Sequence, residues 1–307
     1  MKRGAVVGIV VGAVAVVAVV VGAAVWWSSA QPQTVDAAAR EYLRALEEGD
    51  AAAIESLRDA PLDDVTRSAF ASADAYIVDP RIARVDEDAA RAAVTADAEI
   101  AGERRKISFA LEEAEGEWRL TDDIPVVRIE TAFGGSPGGG DSVWIGDALV
   151  GTADDVGLLP AVYTVRAAPR GILAGEVRAI VAETGATVEL DTSLAADAAS
   201  LAQEQLDAYL DGCTAPAAAV PDNCGIRVPW AADLASLERI AFRVEQYPAL
   251  RLADDGASFE ATGGILVATA TGQTRGGELA SFTYRAEDWA VRGAVRFTGD
   301  EMVLSVD

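Results

Sequence analysis

The chain has 307 residues with 49 acidic side chains against 25 basic ones, a formal charge of −24 and no histidine. A charge of that sign and size repels nucleic acid and excludes simple electrostatic binding to it or to anionic lipid. The missing histidine removes the side chain that most often does acid–base work near neutral pH, and the length suits two or three domains with ordinary cores.

The run Ala5–Trp27 carries no charge and is built almost wholly from Val, Ala, Gly and Ile. As a helix it would span about 34 Å, against a bilayer core of about 30 Å. Lys2 and Arg3 mark the cytoplasmic side, and Trp26 and Trp27 close the run as a membrane-interface pair. The expectation is a cytoplasmic stub over 1–4 and a single transmembrane helix over 5–27, with all later domains extracytoplasmic. A signal peptide cleaved near Ser28-Ser29-Ala30 is the competing reading, although the apolar run exceeds the usual core of about 7–15 residues. Gly4, Gly8 and Gly12 are spaced by four, which lets two such helices approach closely and allows a homodimer.

A polar linker over 28–35 follows. Val35, Ala38, Tyr42, Leu43 and Leu46 recur at helical spacing; Gly49 suits a helix stop, and Asp50 suits the cap of a second helix carrying Ile54 and Leu57. A third helix is expected over Val65–Ala73. The period then changes to two: Val94, Ala96, Ala98 and Ile100 alternate, as do Ile107, Phe109 and Leu111 beyond a turn at Gly102. An acidic turn, Glu112–Glu117, leads to Trp118-Arg119-Leu120. Helices followed by a meander predict an α+β domain over 36–131.

The Gly-rich run Gly134–Gly140 predicts a linker over 132–141. Short strands with turn punctuation predict a small all-β module over 142–193. A helix through Leu194, Ala198, Leu201 and Tyr209, ending near Gly212, opens a second α+β domain over 194–307. Its alternating segments include Ile240–Val244, Ile265–Ala270, Phe282–Tyr284 and Trp289–Val291. The two α+β units read as divergent copies: Ser108–Leu111, an acidic turn and Trp118 correspond to Ser281–Tyr284, an acidic turn and Trp289.

Cys213 and Cys224 are the two cysteines, and in an oxidising compartment an isolated pair is most simply a disulfide. Asn223, the sole asparagine, starts no glycosylation sequon. No phosphate loop, nucleophile elbow or metalloprotease motif is present. The acidic pairs Asp122-Asp123, Asp154-Asp155 and Asp254-Asp255 lack calcium-loop spacing, and adjacent residues do not converge on one site. No catalytic, cofactor-binding or metal residue is assigned, and no cofactor is expected. The aromatic residues to place are Tyr42, Phe109, Trp118 and Trp289, expected in cores or lining a pocket, and Trp144 and Trp230, whose turn-rich contexts make them better candidates for a binding surface, with packing the favoured role even there.

The segments Ala39–Asp50 and Gly116–Leu120 resemble the nuclear-transport-factor-like fold, a cone in which a curved sheet wraps a helix. Val143–Asp147, Gly151 and Leu159–Val165 look like a PEGA-type surface β domain, with Ala161 where that pattern has Gly. The order of one membrane span and tandem external domains is similar to TcaA-like envelope proteins of Gram-positive bacteria, which the resemblance links to cell-wall stress; the zinc ribbon of that family has no counterpart here. The resulting expectation is a membrane-anchored, extracytoplasmic binding, sensing or scaffold protein of the cell envelope, not an enzyme. Its partners would be the membrane through one helix and a cell-wall polymer or another envelope protein, with no nucleic acid. The alternative is a small-molecule or lipid carrier using a cone pocket, and a hydrolase or isomerase ranks last.

Overall fold

A computed structural model describes residues 34–121 and 123–307. The chain divides into two compact units that are not simple segments of sequence. One gathers 34–61, Val78–Glu99 and Arg104–Asp123; the other gathers Leu62–Ile77, Ile100–Glu103 and Ile124–Asp307.

In the first unit, helix α1 (Val35–Glu48) buries Val35, Ala38, Ala39, Tyr42, Leu43, Ala45 and Leu46 on one face. The Thr34 hydroxyl accepts the Ala37 N–H at its start, and Gly49, at φ 70°, stops it in the left-handed conformation that glycine adopts without strain. Asp50 caps helix α2 (Ala51–Ser56) by accepting the Ala53 N–H at 2.9 Å. Strands β1 (Val78–Asp88), β2 (Arg91–Ile100), β3 (Glu103–Ala114) and β4 (Glu117–Leu120) form a sheet in that order. The inner face alternates as Val94, Ala96 and Ala98 on β2 and Ile107, Phe109 and Leu111 on β3. The rings of Tyr42 and Phe109 meet edge to face at 4.7 Å. Buried Arg58 donates to the carbonyls of Ala60 and Thr121, tying the helical segment to the end of β4.

The second unit holds helix α3 (Asp64–Ala71) and strands β5 (Val126–Phe133), β6 (Ser136–Pro137), β7 (Ser142–Ile145), β8 (Ala148–Gly151), β9 (Val156–Gly157), β10 (Ala161–Ala167), β11 (Leu173–Ala174), β12 (Glu176–Val181) and β13 (Ala186–Leu194). They build two sheets, ordered β12-β10-β7-β8 and β11-β13-β5-β6, with β9 on β5. The β5–β13 pair is parallel, from Ala186 opposite Val127 to Thr192 opposite Phe133. Helix α3 is fixed to this body by Thr66, fully buried, whose hydroxyl lies 2.8 Å from the Gly157 carbonyl and 2.5 Å from the Asp63 carboxylate.

Helix α4 (Ala198–Cys213) and strands β14 (Ser236–Gln246), β15 (Ala249–Leu252), β16 (Ser258–Gln273), β17 (Leu279–Thr298) and β18 (Glu301–Val306) complete the unit. The sheet order is β14-β16-β17-β18, with β15 on β16. Ala198, Ala202, Leu206 and Leu210, four apart on α4, share a core with Phe259, Ala261, Leu266, Trp289, Val291, Val295 and Met302. Gln203 pins the helix to the sheet: it donates to the Pro248 carbonyl at 3.1 Å and accepts the Leu250 N–H at 2.7 Å.

The expected architecture needs correction. The chain is mostly β, 52% strand against 17% helix, with four sheets and four α-helices among the described residues, rather than α+β. Two cone-shaped, nuclear-transport-factor-like domains are not supported. The proposed internal copy fails for a local reason: Phe282 and Trp289 lie on the same strand, β17, with no turn between them, whereas Trp118 follows a turn after β3. Helix α4 does end near Gly212, one residue on at Cys213. The transmembrane and membrane description is not supported either: no helix among the described residues is long and apolar enough to cross a membrane. The expected span 5–27, with Gly4, Gly8, Gly12, Trp26 and Trp27, lies outside the described residues.

Candidate functional site

Cys213, at the end of α4, is disulfide-bonded to Cys224, with Cα atoms 5.8 Å apart. The exit of this loop is stitched to β17. The buried indole N–H of Trp289 donates to the Cys224 carbonyl at 2.8 Å, and Gly225, at φ 64°, lies so close to the Ala290 carbonyl that a Cβ would not fit. The bond therefore fixes a wall of the C-terminal sheet.

Four of the six aromatics read from the sequence are core residues: Tyr42, Phe109, Trp118 and Trp289 are all buried. Burial pushes the Tyr42 hydroxyl well above the usual tyrosine range, outweighing the opposing charge of Arg58. Trp230 is half-buried and packs on a small second core of Leu234, Ile240, Ala268 and Ala270. Trp144 is half-buried as well. The Arg170 guanidinium covers its ring at 3.7 Å, and its indole N–H donates to Asp300 at 2.9 Å. The Arg170 backbone N–H donates to the same Asp300 oxygen at 2.8 Å. The six aromatics do not converge on a common surface.

The acidic pairs are engaged in turns and ion pairs. Arg128 binds Asp155 through Nε and Nη2, at 2.9 and 3.2 Å, and holds its carboxyl below the usual range. Asp255 accepts the Ala257 N–H at 2.9 Å, and Asp123 accepts from the Thr121 hydroxyl at 3.1 Å; Asp122 is outside the described residues. Among the described residues no cluster of His, Cys, Asp or Glu could hold a metal ion.

What the sequence reading missed is a set of arginines lining open hollows. In the second unit, a hollow of about 460 Å³ is lined by Arg227, Glu260, Asp288, Trp289, Arg292 and Asp307. An adjoining one of about 480 Å³ shares Glu260, Arg292 and Asp307 and adds Arg251. The register explains the row: Arg251 and Arg292 both stand opposite Glu260, on β15 and β17 respectively. Guanidinium and carboxylate groups there are balanced. In the first unit a groove of about 440 Å³ between α1 and β1 is lined by Arg40, Arg44, Glu47, Asp79 and Arg81, so cations outnumber acids in a strongly acidic chain. The signal was available in the sequence, because Arg40 and Arg44 form a like-charge pair at i and i+4 on the polar face of a helix, an unfavourable spacing.

These hollows are open and charged, a geometry suited to charge-matched binding of a solvent-exposed ligand group. Comparison of the chain with protein-family models, curated proteins and solved structures finds no match.

Proposed function

We propose that this chain is a non-catalytic binding or scaffold protein of the bacterial cell envelope, working outside the cytoplasm, with a cell-wall polymer or another envelope protein as partner. The disulfide carries this reading, because such bonds persist in oxidising compartments and are rare in the cytosol. The arginine-lined hollows add support for binding. Kinship with TcaA-like envelope proteins belongs to the same proposal.

The test is thermal unfolding of the full chain in a non-ionic detergent, with and without purified peptidoglycan fragments, wall polymers and lipids. A component that binds only the folded state at a hundred times its Kd stabilises by about 2.7 kcal/mol. A raised midpoint with one wall component supports the reading. A chain that is reduced in the cell, or found in the cytosolic fraction, refutes it.

A further inference from the structure

We propose that the groove between α1 and the start of β1 binds one oxyanion group of a ligand, a carboxylate or a phosphate ester, through Arg40 and Arg44. The inference rests on the binding role proposed above and deepens it by assigning a site and a ligand chemistry.

The two carboxylates of the groove are already engaged. Glu47 accepts the Asp79 N–H at 3.1 Å. The Asp79 carboxylate is held by Arg81 at 2.8 and 3.3 Å, with Arg104 at 3.8 Å. Asp79 takes this position at φ 50° directly before Pro80, a conformation disfavoured both for an L-residue and for one preceding proline. The β1–β2 register is broken at the same place, between Val78 and Arg81. Each of the two carboxylates thus has its hydrogen-bond partner on β1, Glu47 the Asp79 N–H and Asp79 the Arg81 guanidinium.

The helix arginines are left over. Arg40 has Asp36 only at 3.8 Å, with both side chains more than half exposed, and among the described residues no ion pair engages Arg44. One helical turn apart, the two guanidinium groups repel each other unless an anion lies between them. Guanidinium forks match the planar oxygens of carboxylate and phosphate. The chain charge of −24 sets the ligand's size: charges are screened over about 8 Å in physiological salt, so a single oxyanion inside the groove meets the arginines, while a long polyanion also meets the acidic surface. A ligand with one anionic group on an otherwise uncharged body fits best.

Phenylglyoxal modifies guanidinium groups and reports their occupancy. Modification of each arginine in the full chain would be mapped by mass spectrometry in sodium phosphate, sodium acetate or sodium chloride at matched ionic strength. Phosphate or acetate should slow modification of Arg40 and Arg44 several-fold relative to chloride, leaving the exposed Arg178 and Arg239 unchanged. Slowing by phosphate alone assigns a phosphate ester, and slowing by acetate alone a carboxylate. Arg44→Lys keeps the charge but removes the fork, and should abolish protection of Arg40 without moving the thermal midpoint. Equal slowing at all arginines, none at Arg40 and Arg44, or undiminished protection in Arg44→Lys would overturn the assignment. If protection fails while a wall component still raises the thermal midpoint, the groove assignment falls and the binding role stands. If protection holds and no envelope component binds, the binding role is what fails.

Discussion

Replacing Gly225 by alanine should destabilise the C-terminal sheet much more than an ordinary glycine-to-alanine change. Two effects add. Gly225 has φ 64°, where an L-residue loses roughly 1 kcal/mol. Its Cβ would also fall well inside the 3.0 Å that real Cβ atoms keep from backbone, against the Ala290 carbonyl. Backbone cannot yield as a side-chain tip can, so the loop must lift from β17 and strain the Trp289–Cys224 hydrogen bond. Losing that buried bond adds about 1 kcal/mol, and up to about 3 if the indole N–H is left without a partner. The total is about 2–4 kcal/mol, which lowers the melting temperature by about 4–16 °C for a unit of this size. Gly263→Ala is the control: φ is 76°, but nothing lies within 4 Å of the added Cβ. Its loss should stay near 1 kcal/mol. Calorimetry of the full chain and its variants reads the difference, with tryptophan emission reporting on Trp289. If both variants melt at the same temperature, the close approach at Gly225 carries no energy and the stitched loop is not a structural element.

Other outcomes follow from single contacts. Replacing both cysteines by serine should cost about 3 kcal/mol, from the loop entropy restored to the unfolded chain, read as a lower urea midpoint. Thr66→Val leaves the Gly157 carbonyl without its donor in a fully buried place and should lose about 1–3 kcal/mol by the same measurement. It should also remove an acid-side effect. Burial alone would raise the Asp63 pKa, but hydrogen bonds from Thr66 and Val65 prevail and lower it, so its contribution is present at neutral pH and is lost as pH falls through the folded value; the variant should show a shallower acid limb. Tyr247 is pushed up to about 12, first by its hydrogen bond to Asp211 and then by burial. The folded state holds that proton longer than the unfolded chain, so this stability is full below about pH 10 and gone above about pH 12. Tyrosinate absorbance should show a component near pH 12 that Asp211→Asn returns toward about 10, and a titration unchanged by that substitution would refute the pairing.

Local patterns were legible in the sequence and distant pairings were not. The helices around Leu46 and Ile54 carry their own capping residues, and α3, Asp64–Ala71, overlaps most of the span Val65–Ala73 read as helical. Val94–Ile100 shows its alternation because one face is buried. Strand β1 was missed because it is an edge strand: its residues are mostly exposed, it contains Pro80, and Val78 is 54% exposed, so no apolar period survives. Strand β17 was broken in two because Glu287 and Asp288 look like a turn. They are solvent-side residues of a continuous strand whose register shifts next to Trp289. The parallel pairing of β5 with β13 joins segments about sixty residues apart, with no local mark in either.

The same distance effect explains why the sequence does not show what covers an aromatic ring. A tryptophan in a turn-rich stretch, such as Trp144, reads as exposed because nothing nearby in sequence can cover it. Its partners are Arg170, across the β10–β11 connection, and Asp300, between β17 and β18. Asp300 accepts from both Trp144 and Arg170, so one carboxylate at a turn closes the joint and the ring is covered by a cation rather than by a ligand. Once Trp144 is occupied and Tyr42, Phe109, Trp118 and Trp289 are buried, aromatic stacking has no platform among these five. The proposed recognition is therefore placed on charge, and in a chain this acidic the residues to look at are the arginines of the hollows. Of the described hollows, the α1–β1 groove alone has more guanidinium than carboxylate groups in its lining, which is why ligand chemistry is sought there first.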